Sequence, residues 1–62
     1  MSKSIETIIE DGYYDLAITM VKLVDLPGGV TKEDIIRYTE WLIDKDILKK
    51  RKQKLEKIIN TL

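Results

Sequence analysis

The segment Leu26-Pro27-Gly28-Gly29 constrains the fold of this 62-residue chain more than any other feature of its sequence. Proline disfavours helical geometry at the residue before it, and glycine adopts left-handed backbone conformations without steric penalty. Amphipathic helical patterns lie on both sides of this segment. The sequence therefore predicts an all-α fold, a small helical hairpin that forms a single domain over residues 1–62 and turns at residues 26–29.

The first half of the chain has the i, i+3, i+4 spacing of a helix with one buried face. Its apolar positions are Ile5, Ile8, Ile9, Tyr13, Leu16, Ala17, Met20, Val21, Leu23 and Val24. Asp11-Gly12 interrupts this pattern, since Asp-Gly is a common turn signal and glycine within a helix costs about 1 kcal/mol relative to alanine. Either one helix continues through a weak point, or a short helix ends near Glu10 and a second begins near Tyr13. The capping role open to Gly12 favours the break.

The second half begins with a clear helix start. Thr31 is a natural N-cap, Glu33 and Asp34 place two acids in the first turn, and Val30 is positioned to pack against Ile35. No glycine or proline follows, so one helix of about thirty residues can be drawn, roughly 45 Å long at 1.5 Å per residue. One continuous face of this helix would run through Ile36, Thr39, Ile43, Ile47, Arg51, Leu55, Ile58 and Leu62.

The alternative boundary in the second half is Asp44-Lys45-Asp46, where Asp46 would cap a separate helix beginning at Ile47. With the break at Gly12, the open boundary in the second half gives three to four helical segments in total.

The small size of the chain predicts a homodimer. A domain of about 60 residues buries only about 60% of its unfolded surface and usually needs a disulfide, a metal or a partner chain. The sequence contains neither Cys nor His, which removes disulfides and the usual zinc ligands. Two paired hairpins would complete a helical bundle. In length and layout this resembles the small plasmid-copy-control helical hairpin proteins, a resemblance of architecture alone.

Composition argues against catalysis. Without Cys or His, the common nucleophile–base arrangements cannot form. Asp44 and Asp46 lack the rest of a calcium loop, and Gly28-Gly29 lacks the Lys-Ser/Thr ending of a phosphate loop. We therefore expect no enzymatic activity, no metal or cofactor, and no small-molecule substrate. The start of the chain shows no signal-peptide pattern, and the most apolar stretch, 16–26, is too short to span a bilayer. These features predict a cytoplasmic protein. No aromatic residue lies within the basic segment 49–57, which argues against binding to a membrane surface.

Charge is distributed unevenly although the formal net charge is zero. Residues 1–46 contain ten acids and five bases, whereas residues 47–62 contain six bases and one acid, Glu56. The basic residues are Lys49, Lys50, Arg51, Lys52, Lys54 and Lys57. They have three interpretations: a solvated face with cations near a helix C-terminus, a surface that pairs with the acidic first helix carrying Glu6, Glu10, Asp11 and Asp15, or a nucleic-acid-binding surface.

Two segments, 29–35 and 37–50, resemble parts of winged helix-turn-helix DNA-binding domains. Lys50-Arg51-Lys52-Gln53, together with residues 56–62, resembles the C-terminus of transposon excisionases. Together with the basic cluster they predict a small regulatory protein that binds DNA through its C-terminal helix, and the Lys- and Ile-rich composition suggests a phage or mobile-element source. The alternative is a protein-directed inhibitor or adaptor without nucleic-acid binding, because Trp, Tyr and Arg dominate binding energy at protein interfaces. The residues predicted for a protein interface are Tyr38, Trp41, Leu42, Ile43, Ile47, Leu55 and Ile58.

Overall fold

Three packed α-helices make up the protein in a computed structural model that describes residues 3–62. Helix α1 spans Ile5–Leu23, α2 spans Lys32–Asp44 and α3 spans Lys52–Asn60. Each helix contacts the other two, and no strand occurs in this part of the chain. The predicted all-α architecture with three helical segments is thereby confirmed. Completion as a dimeric bundle stays a prediction.

Helix α1 runs through Gly12 without interruption, so the predicted break at this residue is wrong. Ser4 begins the helix by accepting a hydrogen bond from the Thr7 N–H at 3.2 Å. The buried positions Glu10, Tyr14 and Ala17 lie on both sides of Gly12. Packing of that face against α2 and α3 outweighs a glycine penalty of about 1 kcal/mol, because most helix stability in proteins comes from tertiary contacts.

The segment Leu26-Pro27-Gly28-Gly29 forms the predicted turn. The Gly29 N–H donates to the Leu26 carbonyl at 2.9 Å, and Gly28 has a φ of 74°. Proline at the second position of a turn and a glycine with positive φ at the third position are typical of a type II turn. Gly29 has a different role, since a Cβ there would overlap the carbonyl oxygen of Leu23. The turn brings α2 back along α1.

Helix α2 starts as the sequence predicts. The Asp34 N–H donates to the Thr31 hydroxyl and the Thr31 N–H donates to the Asp34 carboxylate, both at 3.2 Å, which completes a capping box. Val30, just before the cap, packs against the core that contains Ile35.

Helix α2 ends at Asp44, so the continuous helix of about thirty residues is wrong. The Asp46 N–H donates to Ile43 and the Ile47 N–H donates to Leu42, at 3.1 and 2.9 Å. These two bonds form a Schellman motif. Asp46 occupies its left-handed position with a φ of 58°, a conformation that aspartate tolerates better than most residues. Asp46 therefore terminates α2 and does not cap a helix beginning at Ile47; residues 47–51 form a turn, and α3 begins at Lys52.

The core lies where the three helices meet. Its buried apolar residues come from every helix and from the turn before α3, and they are Tyr14, Ala17, Ile35, Leu42, Leu48, Leu55 and Ile59. Thr39 is also buried and donates its hydroxyl proton to the Ile35 carbonyl at 2.8 Å. The core is small, and several large apolar side chains remain exposed, most of them on α1.

Candidate functional site

The Glu10 carboxylate joins α1 to the turn before α3. Its Oε2 atom accepts hydrogen bonds from three consecutive backbone N–H groups, those of Lys49, Lys50 and Arg51, at 2.6, 2.7 and 3.2 Å. Only 5% of the Glu10 surface is exposed. Successive backbone N–H groups in a turn make a concave site for an anion. In this protein the anion is a side chain of the same molecule.

This contact compensates for an unfavourable N-terminus on α3. No side chain caps that helix, and its first turn holds no acid. Lys49, Lys50, Arg51 and Lys52 instead put positive charge at the end of a helix that already carries partial positive charge. These cations therefore lie near the N-terminus of α3, and the interpretation that places them near a helix C-terminus is wrong for all of them. Of the six basic residues, only Lys57 lies in the last turn of α3. Glu10 supplies the negative charge that this end requires.

Asp11, next to Glu10, lies between two cations. Its Oδ1 atom is 2.8 Å from Arg51 and its Oδ2 atom is 2.9 Å from Lys3 Nζ. The Arg51 guanidinium also lies 5.1 Å from the centre of the buried Tyr14 ring, and Lys54 Nζ lies 5.7 Å from it. Distances below about 6 Å permit a cation–π interaction. The basic turn is thus held against α1 through both carboxylates and an aromatic ring.

Both carboxyl groups have pKa values below their ordinary range. Burial alone would raise the pKa of Glu10, but the hydrogen bonds from Lys49, Arg51 and Lys50 and the charge of Arg51 outweigh it and lower the pKa. The hydrogen bond from Lys3 is the main cause of the lowered pKa of Asp11, with further lowering from the charge of Arg51. Both groups are ionised at neutral pH.

The six basic residues predicted to contact DNA do not form one free surface. Arg51 is bound to Asp11, Lys54 lies over Tyr14, and Lys49 Nζ is 3.9 Å from Glu6. The acidic first helix thus pairs with the basic turn through Glu6, Glu10 and Asp11, as the second interpretation of the charge pattern has it. Of these six residues, Lys50, Lys52 and Lys57 have no ion pair or ring contact within the described part of the chain.

The residues predicted for a protein interface lie in different environments. Trp41 is 44% exposed, 6.1 Å from the Tyr13 ring and stacked on the Tyr38 ring at 6.3 Å. Leu42 and Leu55 are fully buried, so they stabilise the core of a single chain and offer no surface. Tyr38, Ile43 and Ile47 are half-buried against that core. Ile58 is also half-buried.

A larger apolar surface lies on the solvent side of α1, which we call the α1 outer face. It consists of Ile5, Ile8, Ile9, Gly12, Leu16 and Leu23, and its isoleucines and leucines are 37–76% exposed. The sequence pattern predicts that the isoleucines and leucines of this face belong to one buried stripe, which Gly12 interrupts. The sequence signal for the α1 outer face is a second stripe with 4-3-4-3-4 spacing, which is the spacing of a coiled-coil seam. This stripe consists of Ile5, Ile9, Gly12, Leu16, Thr19 and Leu23.

The part of the chain that the structure describes contains no group of three or more acidic residues arranged to hold a metal ion. No helix there is long and apolar enough to cross a membrane. The clefts are shallow, with volumes of ≈ 240–300 Å³, at or below the low end of the roughly 300–1,000 Å³ of small-molecule sites.

No protein-family model, curated protein or solved structure matches this chain.

Proposed function

We propose that this chain is a non-enzymatic protein-binding module that works as a homodimer through the α1 outer face. The observation that carries the proposal is the concentration of exposed apolar side chains on one side of one helix, where Ile5, Ile8 and Leu16 are 76%, 57% and 56% exposed. Contiguous apolar patches on small proteins mark interaction sites. The intramolecular pairing of Arg51, Lys49 and Lys54 favours this protein-directed function over DNA binding.

The amount of exposed surface supports a second copy as the partner. The chain exposes 4766 Å², whereas a compact monomer of this mass exposes about 4,100 Å². The excess of roughly 650 Å² approaches the roughly 800 Å² that each partner buries in a standard interface. The radius of gyration is 12.0 Å, compared with about 10.6 Å for a compact chain of this length.

The stripe on α1 is also self-complementary. In an antiparallel pair of α1 helices centred near Tyr14, Gly12 lies opposite Leu16 of the second copy, and Ile5 lies opposite its Leu23. Apart from its chain neighbours and the backbone of α1 itself, no atom lies within 4 Å of a Cβ built on Gly12, so the space above it is open to a leucine side chain. A symmetric contact of this kind closes after two copies and produces a dimer without further assembly.

Sedimentation velocity tests the dimer. We expect the wild-type chain to sediment as a dimer in the micromolar range, and Leu16→Glu to sediment as a monomer with unchanged helical circular dichroism. Leu62→Glu is the matched control, because Leu62 is 42% exposed and lies outside the α1 outer face; this variant should remain dimeric. A wild-type chain that stays monomeric throughout that range would rule the proposal out.

Contact with DNA is the second candidate function, and one observation favours it. Lys50, Lys52 and Lys57 are exposed and form no ion pair within the described residues. A protein that neutralises three phosphates shows a log–log salt slope of about −2.7.

Titration of labelled duplex DNA at two salt concentrations tests this second function. Binding with such a slope that disappears when Lys50, Lys52 and Lys57 are replaced by Gln would support it. Absence of binding at low salt would exclude it, whatever the association state of the chain.

A further inference from the structure

A second surface lies on the other side of the molecule, in a groove between α2 and α3 to which α1 contributes no residue. We call it the α2–α3 groove; it is lined by Ile36, Thr39, Glu40, Ile43, Glu56, Ile59 and Asn60. We propose that the α2–α3 groove is a docking site for an amphipathic helix of a partner protein, one that carries Lys or Arg on both sides of an apolar stripe. This partner is distinct from the second copy bound by the α1 outer face.

The floor and walls of the groove are apolar. Ile59 and Thr39 are buried, with 4% of each surface exposed, while Ile36 and Ile43 are half-buried walls. The Thr39 hydroxyl proton is already donated to the Ile35 carbonyl at 2.8 Å, so the floor presents no unsatisfied donor. Recognition within the groove therefore depends on aliphatic side chains of the partner.

The volume of the groove limits the size of the ligand that it can bind. At ≈ 270 Å³ it is smaller than sites for small molecules, which occupy roughly 300–1,000 Å³. An open groove of this size between two helices accommodates a few side chains on one face of a third helix. This is the helix-in-groove mode, in which residues spaced i, i+3, i+4 and i+7 act as anchors.

The negative charge beside the α2–α3 groove favours a basic partner helix. Glu40 on α2 and Glu56 on α3 place one carboxylate on each helix beside the apolar floor, and no Lys or Arg lines the groove. The cations of the chain are concentrated elsewhere, at the turn before α3 and in its first turn. A partner with basic residues on both sides of its apolar stripe matches this arrangement, whereas an acidic helix is repelled.

A pair of synthetic peptides provides the probe. One is an amphipathic helix with Leu at the apolar positions and Lys at the others; the second has Glu in place of every Lys. We expect the Lys peptide to bind with chemical-shift changes at the backbone amides of Ile36, Ile43 and Ile59, and the Glu peptide not to bind. Nuclear magnetic resonance is chosen because it locates the peptide on the protein and separates the α2–α3 groove from the α1 outer face.

Charge variants complete the test. The double variant Glu40→Gln/Glu56→Gln should weaken binding of the Lys peptide by roughly three- to tenfold, since two exposed ion pairs are lost. The control Asp25→Asn/Glu33→Gln removes two exposed carboxylates outside the groove and should leave the affinity unchanged. Equal weakening by both double variants, equal binding of both peptides, no binding at low salt, or shifts centred on the α1 outer face would each overturn the inference.

Discussion

The Glu10 Oε2 atom lies 2.7 Å from the backbone nitrogen of Lys50, forty residues further along the chain. This hydrogen bond and its two neighbours fix the turn before α3 to the middle of α1. They also place a buried charge where three backbone donors require an acceptor. The stability of the protein should therefore depend on this one carboxylate more than on any exposed ion pair.

Replacement of Glu10 by Gln tests that dependence. We expect the free energy of unfolding to fall by about 1–2 kcal/mol, because hydrogen bonds to a charged acceptor are stronger than those to a neutral amide. Urea denaturation followed by circular dichroism measures the change. Glu6→Gln is the control, since the Glu6 side chain is 83% exposed and 3.9 Å from Lys49; it should change stability by less than about 0.5 kcal/mol. Equal losses in the two variants would contradict this view of Glu10.

Stability should decrease at acid pH. The pKa values of Glu10 and Asp11 are lowered in the folded chain from ordinary values of 4.5 and 3.8, so the unfolded chain binds more protons in this range. Their contribution is complete above those ordinary values and is lost as pH falls through the lower, folded pKa values. Between about pH 6 and 8 the profile should be flat, because the sequence contains no His. Glu10→Gln should make the acid limb shallower; an unchanged limb would exclude Glu10 as a contributor.

Two glycines should respond to alanine in opposite directions. Gly12 lies within α1 with open space where a Cβ would be added, so Gly12→Ala should raise the free energy of unfolding by about 0.5–1 kcal/mol. Gly29→Ala should lower it by more than about 1 kcal/mol, because the new methyl group overlaps the Leu23 carbonyl. Both are best measured in the Leu16→Glu background, which removes any effect of Gly12 on dimerisation. Destabilisation by Gly12→Ala in that background would contradict the prediction.

Arg51 should matter for stability where its basic neighbours do not. Arg51→Gln removes the ion pair with Asp11 and the contact with the Tyr14 ring, which we expect to cost about 0.5–1.5 kcal/mol. Lys52→Gln is the matched control and should be neutral within about 0.5 kcal/mol. Thermal unfolding at low and high salt measures both, and the Arg51 effect should shrink with added salt. A larger effect for Lys52 would overturn the assignment.

The elements that local chemistry specifies are the ones that sequence reasoning predicts correctly. The turn at Pro27 and Gly28 and the capping box of Thr31 and Asp34 depend on residues within a few positions of each other. Gly12 shows the opposite case, since its helical state depends on the packing of Tyr14 and Ala17 against other helices. The end of α2 is ambiguous in the sequence because Asp46 occupies the left-handed position after the helix. Glycine is the usual residue at that position, and no glycine is present there to signal the end.

The candidate site was harder to predict because it is built from distant residues. The acidic first helix and the basic segment are visible in the sequence as opposite charge patterns, and pairing between them was one of three interpretations. The sequence does not reveal that Glu10 binds backbone N–H groups, since every residue except proline has one. The sequence does contain the second apolar stripe of α1, but both stripes have helical spacing, so only the positions of α2 and α3 decide which one is buried.

The Glu10 contact also has a consequence for the order in which the chain folds. Helix α3 has nine residues, whereas isolated helices shorter than about 12–15 residues are marginal in water. Its anchor lies about forty residues away, and closure of so long a loop carries an entropic cost before any contact forms. We therefore expect α1 and α2, joined by the short turn, to associate first and α3 to dock last. In native-state hydrogen exchange, α3 should then open as a separate unit at lower free energy than the α1–α2 pair.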